Sequence, residues 1–526
     1  MVTQPKDAKI TYSTMSVEQL DSFNAAYEQA LAQVSTQLGR EYPVYISNQR
    51  VSMDGATFED RSPSDQRVLL GTFQECTPRH AQQAVAAARG AFPAWSHTPW
   101  QERLVVLRRA AENFRDRKYE MAAWLSLEAG KSRLEAMGEV EEAADLINTY
   151  ADQMEEHDGF VIRLGQLSSS EVNYSVLRPY GVWAVISPFN FPIALTTGML
   201  AGALMAGNTA VFKPSEQTPL TGVKVFECLR DAGLTVGALN FVTGQGDDIG
   251  EALSSNPDVD GIAFTGSARV GTHVYREFSS ERPRPCIAEM GGKNPVIVMN
   301  DANLEKAVEG TARAAFGFSG QKCSAASRVY VHRAVADDFL RRLVDRTLQL
   351  SVGDPAKSDV FTGPVISEIA FDRFKESCRR AKLDGEILVG GTVIDDGEST
   401  HGFFCRPTVA RLPKDHPFFY DELFVPLLVV ASVDSFDEAI ELANDSKYGL
   451  TAGIFTENQH IKDRFLDEIE AGVAYVNRKS GATTGAWPGV QSFGGWKMSG
   501  STGKSALGPY YVQQFMHEQT QTVVSD

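Results

Sequence analysis

The sequence predicts an α/β protein: two doubly wound α/β domains in series, with a helical N-terminal region and a small β element. Three observations carry that expectation. Short apolar runs alternate with helix-length segments from about residue 180 to 265, and again from 295 to about 474. Such alternation builds a parallel sheet with helices on its faces. Before residue 155, apolar residues recur instead mostly at three- and four-residue spacing, the period of amphipathic helices. Finally, the 526 residues are 43% hydrophobic and 22% charged. That is the balance of a globular chain of about three domains, long enough to bury a core without disulfide staples.

Taken in order, a short strand region accompanies a helix over 17–37, where Leu20, Phe23, Tyr27, Leu31 and Val34 share one face. Further helices are expected over 79–95, 101–130 and 133–154. The first alternating block places strands at 182–186, 209–212, 240–242 and 261–264, with helices at 193–207, 218–232 and 247–255. In the second block strands fall at 296–298, 328–331, 427–433 and 472–476, and helices at 303–316, 334–350, 367–383 and 435–444. The tail, 510–524, alternates loosely and reads as an exposed strand; such an edge needs a partner, so self-association is expected.

Composition excludes several functions. Fifty Lys and Arg against 67 Asp and Glu leave a net charge of −17, which repels nucleic-acid backbones. Residues 179–212 carry no charge, but Pro188, Asn190, Pro192 and Asn208 interrupt them, so a strand, loop, helix and strand are expected instead of a membrane span. Residues 1–9 are polar and show no secretory signal. The six cysteines contain no C-x-x-C pair and read as reduced thiols of a cytoplasmic protein. Nine scattered histidines and no H-E-x-x-H give no metal site, and there is no G-x-S-x-G elbow.

Two stretches end like phosphate loops, Gly503-Lys504-Ser505 and Gly130-Lys131-Ser132, but Met498 and Leu125 stand where the first glycine is required. Gly244-Gln245-Gly246-Asp247-Asp248-Ile249-Gly250 follows a strand and opens a helix. Its spacing is one residue longer than the dinucleotide fingerprint, and an ordinary βα turn is an equal reading. Cys323 follows Ser319-Gly320-Gln321-Lys322, and the neighbouring lysine could lower its pKa. Alone, the stretch favours a buried structural cysteine. Glu289, before Met290-Gly291-Gly292, is a candidate general base, with a solvated turn carboxylate the stronger reading alone.

Together these stretches are far more specific. Pro188-Phe189-Asn190-Phe191-Pro192, Lys213-Pro214-Ser215-Glu216, Phe264-Thr265-Gly266-Ser267, Glu289-Met290-Gly291-Gly292-Lys293, Gly320-Gln321-Lys322-Cys323, Glu422-Leu423-Phe424-Val425-Pro426 and Phe493-Gly494-Gly495 occur in that order. The chain thereby resembles the aldehyde dehydrogenase superfamily over nearly its whole length. One departure is Val425, where the family usually has glycine.

The resemblance implies a dinucleotide-binding domain with the N-terminal helical region over 1–160 and 180–288. A catalytic domain would span 289–476, and an oligomerisation element with a substrate anchor loop 161–179 and 477–526. It implies Cys323 as nucleophile, with the Asn190 side chain and the Cys323 N–H holding the oxyanion of a thiohemiacetal. Hydride transfer would leave a thioester, and Glu289 would activate the water that hydrolyses it. NAD would lie against Ile186, Ser187, Pro188, Phe189, Lys213, Ser215, Glu216, Gly246, Gly250, Phe264, Gly266, Ser267, Val270, Met290, Glu422 and Phe424.

The segments Asn477-Arg478-Lys479, Thr484-Gly485-Ala486 and Gly489-Val490-Gln491-Ser492-Phe493, with Gln321-Lys322-Cys323-Ser324, look like the L-glutamate γ-semialdehyde (1-pyrroline-5-carboxylate) dehydrogenase branch, which serves proline catabolism. In that branch Ser324, Gly485 and Ala486 would anchor the substrate's α-carboxylate and α-amino group. Phe189 and Phe493 would pack on its aliphatic chain, and Lys322 would line the site. The alternatives are a dehydrogenase of a succinate or 2-oxoglutarate type of semialdehyde, a cofactor-binding relative without turnover, and a cysteine hydrolase.

Overall fold

The structure, a computed structural model, describes residues 17–51, 55–481, 483 and 486–525. Two seven-stranded sheets organise it. In the first, Val182–Ile186, Thr209–Lys213 and Leu239–Phe241 follow one another in one direction. The chain then returns to lay Gly261–Thr265 and Cys286–Glu289 on the other side of Val182–Ile186. These strands are parallel, and the antiparallel pair Val44–Ile46 and Gln49–Val51 extends the Leu239–Phe241 edge. The order reverses between Val182–Ile186 and Gly261–Thr265, so a crevice opens beyond their C-terminal ends.

The second sheet runs Glu386–Val389, Thr408–Arg411, Leu427–Val433, Ala326–His332, Asn294–Val298, Thr451–Phe455 and Val473–Val476. All its pairs are parallel except the antiparallel edge strand Glu386–Val389. Most of its central strands are buried on both faces, which is why they read as continuous apolar runs. Separate cores lie on its two sides, around Phe374 and Phe465 on one and Phe339 and Leu343 on the other.

The helices Pro78–His97, Trp100–Asp116, Lys118–Glu128 and Arg133–Glu156 lead into the first sheet. The single helix expected over 101–130 is two helices, broken at Arg117 (φ −101°, ψ 13°), whose side chain bonds Glu120 and Glu227. The second half is buried on nearly every face and carries no period of its own, so the sequence pattern does not reveal the break. The helix expected over 247–255 is a π-turn, Gly246–Gly250, followed by one α-turn, Glu251–Ser254. Helices Ala268–Phe278 and Gln459–Glu468, and strand Thr451–Phe455, were not expected.

The uncharged stretch 179–212 divides into strand Val182–Ile186, a loop, helix Ala194–Met205 and strand Thr209–Lys213. Among the described residues no helix is long and apolar enough to cross a membrane. The tail strand Met516–Val524 pairs antiparallel with Glu171–Pro179 along its whole length, and Val161–Arg163 completes a three-stranded sheet in which the tail is an edge.

Candidate active site

The C-terminal edge of the first sheet meets loops that precede the strands of the second. Strand Val182–Ile186 ends at the switch point and continues into Ser187-Pro188-Phe189-Asn190, where Ser187 N–H donates to the Lys213 carbonyl at 3.1 Å. Asn190 is buried, and its amide donates to the Gln321 carbonyl at 3.1 Å. That bond brings the loop of the first sheet to within two residues of Cys323.

The Cys323 loop follows helix Leu304–Phe316 through a turn in which Phe318 (φ 49°) and Ser319 (φ 52°) occupy the left-handed region. Each costs a non-glycine residue roughly 1–3 kcal/mol and persists only where neighbours fix it. They do so here. Ser319 N–H donates to Thr362 Oγ1 at 2.6 Å, its hydroxyl to the Gly363 carbonyl at 2.6 Å, and Gln321 Oε1 accepts the Ile366 N–H at 2.8 Å. Asn294, to which the sequence reading gave no role, closes the loop from below. Its amide donates to the Cys323 and Ala325 carbonyls at 2.7 and 2.9 Å, while its oxygen accepts the Thr451 N–H at 3.0 Å. The signal was its place beside Gly291-Gly292: a Cβ on Gly292 would lie 2.6 Å from both Asn294 Oδ1 and the Cys323 carbonyl.

Burial pushes the Cys323 thiol up to about 12, helped by the Glu422 and Glu289 charges and opposed by the Ser324 and Cys323 N–H groups. The expected help from Lys322 is corrected here: its ammonium pairs with Glu135 at 2.6 Å. Adjacent side chains on a turn diverge, and Glu135 on the long helix lies where this one points. Glu289 ends strand Cys286–Glu289. Its carboxyl is raised well above the ordinary range by burial, with a Gly495 backbone donor opposing, and its Oε2 has no hydrogen-bond partner among the described residues.

A cavity of about 400 Å³ opens on Cys323 and Ser324. Phe191, Phe493 and Ala486 also line it, as do Lys322, Arg478 and Glu142. Phe189 is corrected: its ring meets Phe424 edge-on at 5.9 Å, and Phe191, on the other side of Asn190, forms the wall. Gly485 lies outside the described residues, as does Thr484. Glu142 was missed by the sequence reading, being one acid among several on a charged helix. Burial pushes its carboxyl to about 8, the Glu139 and Asp145 charges add to this, and Lys131 and Lys322 oppose it.

Most of the remaining positions follow the C-terminal ends of the first sheet's strands. Lys213 Nζ lies 3.7 Å from Glu216 Oε2 and donates to the Pro214 carbonyl at 3.0 Å; the Ser215 hydroxyl accepts the Gln217 N–H. Gly250 backs the Lys213 stem, whereas a Cβ on Gly246 would meet nothing within 4 Å, leaving room for a ligand against that turn. Glu75 Oε1 accepts the Gln245 N–H at 2.7 Å and fixes the turn, a further role not foreseen. Ser267 caps helix Ala268–Phe278 by accepting the Val270 N–H, and Phe264 and Met290 pack over Gly266 and Gly271. Glu422 Oε1 accepts the Gly292 N–H at 2.9 Å, and burial raises its carboxyl to about 7. Val425 fits without strain: the left-handed residue is Phe424 (φ 58°), and Val425 is buried in the second core. Among the described residues no group of three or more His, Cys, Asp or Glu is arranged to hold a metal ion.

This pattern has known counterparts. The model of the aldehyde dehydrogenase family matches residues 51–521. A protein named 1-pyrroline-5-carboxylate dehydrogenase 2 from Bacillus subtilis is 38% identical over 507 residues, 95% of each chain. A 1-pyrroline-5-carboxylate dehydrogenase from Geobacillus thermodenitrificans is 38% identical over 511 residues, 96% of each. The structure of the Thermus 1-pyrroline-5-carboxylate dehydrogenase with bound NAD superposes with a TM-score of 0.92 at 33% identity, covering 100% of both chains.

Proposed function

The chain belongs to the aldehyde dehydrogenase family, and on that premise we propose that it oxidises L-glutamate γ-semialdehyde, in equilibrium with 1-pyrroline-5-carboxylate, to L-glutamate with NAD. The observation that carries this reading is the cavity in which Cys323 and Ser324 share a wall with the ionisable Glu142, Lys322 and Arg478. The relatives named above support the same substrate.

Cys323 Sγ attacks the aldehyde carbon and its proton leaves to cavity water. The Asn190 amide and the Cys323 N–H receive the oxyanion; losing one such donor typically costs about 3–4 kcal/mol. NAD would be held by Gly246, Lys213, Glu216 and Glu422, and when bound it would supply the acceptor for the hydride that leaves the substrate carbon. Glu289, its carboxyl raised by burial, takes a proton from the water that hydrolyses the Cys323 thioester. Phe191 and Phe493 flank the aliphatic chain. Ser324 and the Gly485-Ala486 loop take the α-carboxylate, and Glu142 faces the α-ammonium.

The domain roles follow: 1–160 with 180–288 for the dinucleotide, 289–476 for catalysis, and 161–179 with 477–526 for self-association. The free tail edge of the three-stranded sheet supports a homo-oligomer. Six unpaired cysteines support a reducing, cytoplasmic location. The test is steady-state turnover with glutamate, succinate and 2-oxoglutarate semialdehydes and each nicotinamide cofactor. The reading expects NADH to form in step with glutamate, and none to form in Cys323→Ala; a better rate with either other semialdehyde would overturn it.

A further inference from the structure

A buried ion pair beneath the two catalytic loops has no part in the mechanism above. Lys131 is 1% exposed and Glu139 fully buried, and the two are in direct salt-bridge contact. Lys131 belongs to Gly130-Lys131-Ser132, the stretch that imitates the end of a phosphate loop. The other Glu139 oxygen accepts the Ile193 and Ala194 N–H groups at 2.8 and 3.2 Å, at the start of the helix that follows Asn190. The Lys131 ammonium lies 3.4 Å from the centre of the Phe191 ring and 4.8 Å from that of Phe318. Phe191 is the residue after Asn190, and Phe318 opens the left-handed turn before Cys323. One cation therefore touches both loops.

The cation is itself anchored to the segment that holds the Cys323 turn. A Cβ on Gly363 would lie 2.2 Å from the Gly130 carbonyl, and one on Gly130 3.0 Å from Pro364. The same Gly363 and Pro364 carbonyls accept from Ser319 and Gln321. Burying a pair of charges is a weak source of stability, because desolvation cancels much of the attraction. Geometry is what this pair does supply. An ammonium over a ring face is attracted by the ring quadrupole, more strongly when desolvated, and here two rings from two loops share it.

We propose that Lys131 and Glu139 are positioning residues that fix the Asn190 amide relative to Cys323, and so shape the oxyanion site. The inference rests on the reading of Cys323 as nucleophile and Asn190 as oxyanion donor. A misplacement of about 1 Å at such a site costs on the order of 100-fold in rate.

The test is the double variant Lys131→Met/Glu139→Gln, which removes both charges while leaving an oxygen for the Ile193 N–H. Three quantities are compared with the parent enzyme: steady-state kinetics with glutamate semialdehyde, the Kd of NAD, and the rate of Cys323 alkylation by iodoacetamide. Alkylation needs the thiol but no oxyanion site. The proposal expects kcat to fall about 100-fold with KM changed less than about three-fold, and NAD binding and alkylation to stay at parent levels. A kcat within about three-fold of the parent would overturn it. So would parallel losses of alkylation and NAD binding, the mark of a purely structural role. If the double variant does not fold, Phe318→Leu decides: a kcat loss of about ten-fold supports the proposal and an unchanged kcat overturns it. Parent enzyme that survives complete alkylation of Cys323 would instead defeat the underlying reading of the nucleophile.

Discussion

Glu289→Gln separates the two halves of the reaction. The substitution preserves shape and removes the only proton acceptor assigned to thioester hydrolysis. Positioned bases of this kind contribute about 100- to 10,000-fold, or roughly 2.7–5.5 kcal/mol. Steady-state turnover should therefore fall by at least about 100-fold. The earlier steps should survive, because the oxyanion donors Asn190 and Cys323 N–H are untouched. Rapid-mixing absorbance of NADH is the assay: the variant should show one NADH per active site in a burst no slower than the parent's, then almost none. Loss of the burst, with thermal stability and NAD binding intact, would refute the division of labour. Steady-state turnover within about three-fold of the parent would refute the base itself.

Three further outcomes follow from the same site. Alkylation of Cys323 in the cofactor-free enzyme should rise about ten-fold per pH unit from 7 to 9, because the thiol is held near 12 and only the thiolate reacts; a plateau below pH 8 contradicts the buried, carboxylate-flanked thiol. Glu142→Ala should raise KM for glutamate semialdehyde by about ten-fold or more and leave kcat for a plain aliphatic aldehyde unchanged, so equal effects on both substrates would remove Glu142 from ammonium recognition. NAD should be preferred over NADP, and Glu216→Ala should narrow the kcat/KM ratio, since a carboxylate beside the ribose repels a 2′-phosphate; a parent ratio of one or less rejects this role.

Much of the fold was legible because the first sheet obeys simple periodicities. Thr209–Lys213 and Gly261–Thr265 are short apolar runs between helices, and both were placed within a residue or so of their ends. Thr451–Phe455 was not, because its sequence, Thr-Ala-Gly-Ile-Phe, has small residues buried on both faces and no alternation. The nucleophile loop was recognisable only as part of an ordered set of motifs. Its supports, Asn294 bonding the Cys323 carbonyl and Ser319 bonding Thr362 and Gly363, act across long sequence separations that no local pattern records. Side-chain direction was likewise invisible. Lys322 beside Cys323 suggested a thiolate partner, and Phe189 beside Asn190 a substrate wall, yet the first pairs with Glu135 and the second with Phe424.

The most direct test of the substrate assignment compares kcat/KM for glutamate γ-semialdehyde with that for pentanal, with glutamate tested as inhibitor. A site that uses Ser324, Glu142 and the Gly485-Ala486 loop on charged groups leaves those groups unpaired when the substrate lacks them. The account predicts at least about a 100-fold advantage for the semialdehyde, roughly 2.7 kcal/mol, and competitive inhibition by glutamate. Comparable efficiency with pentanal, together with no inhibition by glutamate, would contradict it.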